Sequence, residues 1–355
     1  MKILIISLAG IGDTLLATPL IRELRANFPD ATLDALVLWA GAKDLLETNP
    51  HLNRVHQKNL LKESNFNALK YLWSLRSHRY DVSINTHPQS RRHYRIAARV
   101  IAAPIRVSHE YECSGGLDRW LVNRTRPQDY SRHTIENNLD LLGFLSASPK
   151  LAAPAMEVHW AAEEERWADD FVARHGLGGR RRLGIHVGSG GTKNLKLKRW
   201  PLEHYLKLIQ RLNRERGDVV VVLFGGPEES KDHDRILAAT DQALVLPAQS
   251  GNLRQAAALL HRCDAFLSVD TALMHLAAAV KVRRQIVIET PTLNVTNLPY
   301  GNEFAVVPNP TAHGRNLEYY RYDGEGIKGN REELLRCMAS VTPDEVWRVL
   351  NAALD

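Results

Sequence analysis

The chain has 355 residues, 44% hydrophobic and 24% charged, which at roughly 150 residues per domain predicts two globular domains with sizeable cores and argues against disorder. Three widely spaced cysteines, Cys113, Cys263 and Cys337, suit neither a disulfide framework nor a metal-ligand cluster, so a reducing compartment is expected. No apolar run approaches the roughly 20 residues of a spanning helix, no signal peptide is visible, and a formal charge of +6 favours anionic partners: nucleotide phosphates, anionic lipids or nucleic acid.

The first stretch organises the rest. Residues 3–8 read as a buried strand, Ala9-Gly10-Ile11-Gly12 as a small-residue turn, and Leu15, Leu16, Pro19, Leu20 and Leu24 as one face of the following helix. A strand, a glycine turn and a helix start turn backbone N–H groups toward an open crevice. Asp13 stands where a helix cap belongs, and its local chemistry fits a cap or a catalyst. The next strands are predicted at 31–39, 54–56, 81–85 and 105–109, with helices between them, including a basic one at 90–101. Residues 111–132 lose periodicity and read as a long polar and basic loop. A helix follows at 133–145, then a linker at 146–154 and an acidic-start helix at 161–175.

The break GLGGRRR places the domain boundary at 178/179, giving domains 1–178 and 179–340. The second half repeats the alternation, with strands at 183–189, 218–226, 243–247, 265–270, 284–290 and 303–308. The closing segment, 341–355, is a helix expected to pack back on the first domain. Alternation of this kind argues for an α/β chain of two doubly wound parallel sheets facing a central cleft, where ligands usually bind.

Five constellations carry candidate chemistry. Gly10 and Gly12 fit the start of a dinucleotide fingerprint, but its third glycine is Leu15 here and no acid ends the second strand, so an oxidoreductase reading is weak. Asp270-Thr271-Ala272-Leu273-Met274-His275 follows a strand and opens a helix. Thr271 and His275 share a helical face and could hold a pyrophosphate, or simply cap the helix and fill its core. Ser189 and Thr192 lie in a small-residue turn followed by Lys193, Lys196, Lys198 and Arg199, which could neutralise a leaving diphosphate or form a solvated basic loop. Glu228 and Glu229 follow a strand and Gly-Gly-Pro, where a carboxylate can accept from ribose hydroxyls or favour a helix dipole. Arg91, Arg92 and Arg95 suit a phosphorylated or carboxylated substrate, or a solvated helix face.

In combination, KILIISLAGIGDTLLATPLIRELRANFPDA, HTIENNLDLLG, IHVGSGGTKNLKLKRWPLEHYLKLI, LFGGPEE, LSVDTALMHLAAA and CMASVTPDEV resemble glycosyltransferase family 9, the lipopolysaccharide heptosyltransferases, over nearly the whole chain. The resemblance implies a GT-B fold and inverting chemistry with no cofactor and no metal. It makes Asp13 the catalytic base and Lys198 a contact to the donor diphosphate or sugar. Asp270, Thr271 and His275 would bind the nucleotide side, with Ala272 at the closest backbone approach to phosphate, and Glu228 or Glu229 would reach the ribose. Ala272 departs from the family's usual Gly, and Thr290-Pro291-Thr292 replaces the usual Gly-Pro-Thr. The implied function is transfer of a heptose from ADP-heptose to an anionic glycolipid or core-oligosaccharide acceptor, with Gly10, Gly12 and the arginines on the acceptor side. Such an enzyme would be cytoplasmic and peripheral at the membrane, with no nucleic-acid partner. A hexose or N-acetylhexosamine donor, and a non-catalytic GT-B-shaped binding protein, are the alternative readings.

Overall fold

A computed structural model describes residues 1–191, 193–315 and 326–355. The chain forms two compact units, the first Met1–His159 and the second from Trp160 onward. Among the described residues each unit carries one six-stranded sheet.

The first sheet comprises β1 (Lys2–Ser7), β2 (Thr32–Val37), β3 (Arg54–Gln57), β4 (Val82–Asn85), β5 (Ile105–Glu110) and β6 (Arg124–Pro127), in the order β3-β2-β1-β4-β5-β6. Every neighbouring pair is parallel. Helices cover both faces of such a sheet, which is why β1 is a continuous apolar run with Ile3, Leu4, Ile5 and Ile6 all fully buried. In register, Ile3 lies beside Leu33 on one side and Val82 on the other.

The second sheet comprises β7 (Arg181–His186), β8 (Val219–Phe224), β9 (Val245–Pro247), β10 (Ala265–Ser268), β11 (Arg284–Ile288) and β12 (Phe304–Val307), in the order β12-β11-β10-β7-β8-β9. It too is parallel throughout. Both sheets follow the Rossmann strand order, which reverses between the first and fourth strands of each: β1 and β4, then β7 and β10. Beyond the carboxyl ends of those strands lies the crevice where such sheets bind ligands. The result is a GT-B chain, as the alternation predicted.

Three expectations need correction. The units divide at 159/160, not at 178/179. Helix Ala162–Arg174 belongs to the second unit because its acids meet that unit's cations: Arg254 Nε lies 2.9 Å from Glu164 and Arg262 lies 2.7 Å from Asp169. GLGGRRR is therefore a turn inside the second unit. The closing helix Pro343–Leu354 also packs on the second unit, burying Val346, Trp347, Leu350 and Leu354 among Leu208, Leu212 and Val219, with the Arg211 guanidinium 4.4 Å from the Trp347 ring. Finally, 111–132 contains a helix, Gly116–Leu121, and the edge strand β6. The sequence of β6, Arg-Thr-Arg-Pro, has no apolar alternation, because an edge strand needs only one partner and is protected by charge and proline.

Candidate active site

In the first unit the chain leaves β1 through Leu8-Ala9-Gly10 and enters the short helix Ile11–Leu15. The Gly10 N–H donates to Asp13 Oδ2 at 2.7 Å, so one carboxylate oxygen is fixed by the turn. A Cβ on residue 10 would sit 2.9 Å from that oxygen, so the close approach requires glycine. The Thr14 hydroxyl donates to the Gly10 carbonyl at 3.1 Å, and the Trp39 indole donates to the Ala9 carbonyl at 2.8 Å. Gly12 is buried within the helix, whereas Gly10 and Asp13 are half-buried.

The loop after β4, residues 86–90, lies alongside. Gln89 Nε2 donates to the Ile6 carbonyl at 2.5 Å and to the Thr86 carbonyl at 2.8 Å, tying this loop to β1. The Tyr111 hydroxyl accepts from the Gln89 N–H at 2.9 Å and pairs with His87 Nδ1 at 3.1 Å. Next comes helix Arg92–Ile101. Here Tyr94, for which no role was predicted, feels the charge of Asp13: burial, then that charge, raise its hydroxyl pKa, so it stays protonated at neutral pH. The arginines do not act as one cluster. Arg91 is half-buried at the N-cap, and Arg92 is 52% exposed with its guanidinium 3.3 Å from Asp118. Arg95 is 1% exposed and donates to Ser90 O, His109 O and Ser114 Oγ at 2.9, 3.2 and 3.2 Å. It is an interior strut, not an acceptor-facing cation.

Two histidines behind this loop are buried and neutral. Burial lowers the His109 pKa to about 4 and takes that of His87 well below the ordinary value, where nearby His109 lowers it further. Unfolded, both titrate near pH 6.5, so as pH falls below about 6.5 the unfolded chain binds more protons and stability is lost. The expected slope is up to about 1.4 kcal/mol per pH unit for each histidine, ending for His109 near pH 4. Thermal melts from pH 7.5 to 4.5 check this, and His109→Gln should flatten the slope by about one proton.

The second unit builds its site from three loops. Lys198 ends the short helical turn Leu195–Lys198, Asp270 and Thr271 follow β10, and residues 289–298 follow β11. Asp270 Oδ2 is the hub. Lys198 Nζ donates to it at 3.0 Å, the Thr292 hydroxyl at 2.7 Å and Asn297 Nδ2 at 3.2 Å. Both charged groups are over 90% buried. Burial alone would raise the Asp270 carboxyl, but Lys198, the Thr292 hydrogen bond and His275 together hold it below the usual carboxylate range. Thr271 caps helix Ala272–Ala279, its hydroxyl accepting from the Met274 N–H at 3.3 Å, and His275 sits one turn on, buried. The helix start therefore presents the amides of the 271–273 turn, half-buried Ala272 among them, beside a Lys–Asp pair whose charges cancel.

The remaining predicted donor residues separate by role. Ser189 is buried, its hydroxyl donating to the Leu195 carbonyl at 2.8 Å and accepting from Arg199 Nε at 3.3 Å; it staples the loop. Glu229 is buried and receives the Gly226 N–H at 3.1 Å and Arg199 at 2.8 Å. Its carboxylate passes so close to Gly188 that a Cβ there would collide with it. Glu228 is exposed and lies against Gly191, where a Cβ would fall 2.5 Å from its carboxylate. Thr192 lies outside the described residues. Asn297 is the contributor that sequence reasoning missed, whereas Thr292 belongs to the Thr290-Pro291-Thr292 segment already marked there as a departure from the family.

Two Rossmann-type units, one with an oriented acid in the turn of helix after its first strand and the other with a Lys–Asp pair at a helix start, give the chain a GT-B architecture. Residues 68–322 match the model for glycosyltransferase family 9 (heptosyltransferase), and the chain belongs to that family. Lipopolysaccharide heptosyltransferase 2 of Escherichia coli K12 is 26% identical, over 100% of this chain and 99% of its own. Lipopolysaccharide heptosyltransferase 3 of the same organism is 26% identical over 76% of this chain and 77% of its own. Among solved structures, a family 9 glycosyltransferase from Veillonella parvula superposes with a TM-score of 0.77 at 19% identity, covering 99% and 97% of the two chains. The ADP-heptose lipopolysaccharide heptosyltransferase II of E. coli gives 0.72 at 24%, covering 100% and 98%.

Proposed function

We propose that this glycosyltransferase moves a heptose from ADP-heptose onto a lipopolysaccharide-core or similar anionic glycan acceptor, by one inverting displacement without a metal. The observation that carries it is the Lys198–Asp270–Thr271 constellation at the β7/β10 switch point, in a chain whose full-length relatives are named as heptosyltransferases.

The first unit supplies the base. Asp13, oriented by the Gly10 N–H, takes the proton of the acceptor hydroxyl as that oxygen bonds to the anomeric carbon. The carbon–oxygen bond to the diphosphate breaks, its electron pair leaving with the nucleoside diphosphate, and a single displacement inverts the anomeric configuration. The second unit supplies the counter-charge: Lys198, the Thr271 helix start and His275 meet the developing charge on the diphosphate. Asp270, Thr292 and Asn297 hold Lys198 in place beforehand, so little reorganisation is needed when the donor binds. Arg91 and Arg92 meet acidic groups on the acceptor, and Tyr94 keeps a protonated hydroxyl beside Asp13. The protein works on the cytoplasmic side, peripherally at the membrane that carries its acceptor. Among the described residues no helix is long and apolar enough to cross a membrane.

Glu228 is the acid placed to reach the donor ribose, and Glu229 the one that holds the loop. Glu228→Gln should raise the donor KM about tenfold with an unchanged melting temperature, the equivalent of about 1.4 kcal/mol of a hydrogen bond to a charged acceptor. Glu229→Gln should instead lower the melting temperature, because Arg199 loses the nearer of its two carboxylates and keeps Asp232 at 3.4 Å. Steady-state kinetics beside thermal melts separate the two. Donor identity is tested by thermal shift across ADP-heptose, ADP- and UDP-hexoses and UDP-N-acetylhexosamine. The largest shift is expected with ADP-heptose, and a larger one with a UDP sugar transfers the assignment to that donor.

A further inference from the structure

One side of the first unit is unlike the rest of the surface. Helices Asn65–Ser74 and Gly116–Leu121 flank helix Arg92–Ile101, which packs against both. All three expose large apolar side chains: Phe66 74%, Leu69 45% and Trp73 62% from Asn65–Ser74, Ile96 38% from Arg92–Ile101, and Leu117 51% and Trp120 59% from Gly116–Leu121. Phe66, Leu69 and Trp73 are spaced by three and four residues, so they form one outward stripe on their helix. Scattered exposed apolar residues are ordinary, but a stripe continued across neighbouring helices marks an interaction surface.

The charge around this face selects the partner. Residues 61–126 hold twelve Lys and Arg against five Asp and Glu, a balance of +7, or +6 without the interior Arg95. Lys62, Lys70 and Arg76 are exposed beside the stripe, and the acid nearest in sequence, Glu63, is taken by Lys58 at 2.6 Å. The Arg76 guanidinium lies 4.1 Å from the centre of the Trp73 ring and that of Arg99 lies 4.7 Å from the Trp120 ring. Tryptophan backed by arginine is the chemistry of a membrane interface: the ring enters the headgroup–acyl boundary and the cation stays with the phosphates.

We infer that this face docks on an anionic lipid bilayer. The inference extends the proposed function, which puts the acceptor on a lipid, by naming the surface that meets the lipid. Its test needs neither donor nor acceptor.

The full chain is mixed with vesicles of phosphatidylcholine alone or with about a third phosphatidylglycerol, a content that makes the surface strongly negative. It should sediment with the anionic vesicles, weakly with the neutral ones, and be released by salt. Trp73→Ser with Trp120→Ser should cut partition at least tenfold. Lys62→Gln with Lys70→Gln should cut it about 25-fold, at roughly fivefold per cation near an anionic surface. All four positions are exposed, so both variants should keep the wild-type melting temperature and turnover of a soluble, delipidated acceptor. In the wild type, added anionic vesicles should slow amide exchange in 61–76 and 92–121. The inference is overturned by absence of vesicle binding, by tryptophan variants that bind like wild type, or by slowed exchange elsewhere instead. It is equally overturned if the tryptophan substitutions dissociate a dimer of the free protein, which would make the face a contact between copies. Vesicle binding without turnover of the soluble acceptor would sink the proposed function and leave this inference standing.

Discussion

Asp13→Asn is expected to lower kcat about 10²- to 10⁴-fold, the usual worth of a positioned general base, with donor affinity unchanged. The substitution is close to isosteric. An amide oxygen can still accept the Gly10 N–H that Asp13 Oδ2 now takes at 2.7 Å, so the turn and the helix Ile11–Leu15 should survive. The first turn of the helix loses a negative charge, a cost of about 1 kcal/mol or less at a helix start. A fall in kcat with equal thermal stabilisation by donor identifies a catalyst. If wild type and variant bind donor equally well and neither turns it over, the protein is a binding module. Unchanged kcat would return Asp13 to the role of a plain cap.

Lys198→Met is expected to remove both stability and turnover. Lys198 and Asp270 lie 3.0 Å apart and more than 90% buried, so removing the cation strands a buried carboxylate beside Thr292, Asn297 and His275, none of which carries the lysine's fixed charge. Breaking one side of a buried pair typically costs about 3–5 kcal/mol. Loss of a fixed charge on the leaving group should add a fall of about 10²–10³ in kcat. The pH dependence discriminates. In the wild type the lowered Asp270 pKa contributes stability that is present above about pH 4 and is lost only as pH falls below that. In Lys198→Met, burial acts without its main counterweight and raises that pKa, so the stability deficit of the variant relative to wild type should narrow on acidification, when Asp270 takes a proton. The double variant with Asp270→Asn should lose less than the sum of the single losses. Denaturant melts of the four proteins at two pH values read all of this.

What was legible in the sequence followed from local chemistry. β1 could be read because a strand buried on both faces is apolar without interruption, and the glycine turn after it because Gly10 must let Asp13 approach. The Asp-Thr helix start after β10 could be read for the same reason. Arg95 could not be told from Arg91 and Arg92, since all three are basic in one turn and only packing against Ser90, His109 and Ser114 decides which turns inward. Glu228 and Glu229 were ambiguous until Arg199 and Gly188 fixed which carboxylate is interior. Thr292 and Asn297 reach Asp270 from 22 and 27 residues away, a distance no local pattern encodes. The misplaced boundary has a similar origin: a glycine turn between a helix and a strand has the composition of a linker, and only the pairing of Glu164 with Arg254 shows to which unit the helix belongs.

The most direct test of the whole account is the stereochemistry of one turnover. The wild-type chain is incubated with ADP-heptose and a heptose-deficient core acceptor, with and without excess EDTA, and the product is examined by NMR. The account predicts ADP release matched by a new glycosidic bond of inverted anomeric configuration, at the same rate with chelator. Retained configuration, a rate abolished by EDTA, or no transfer would contradict it.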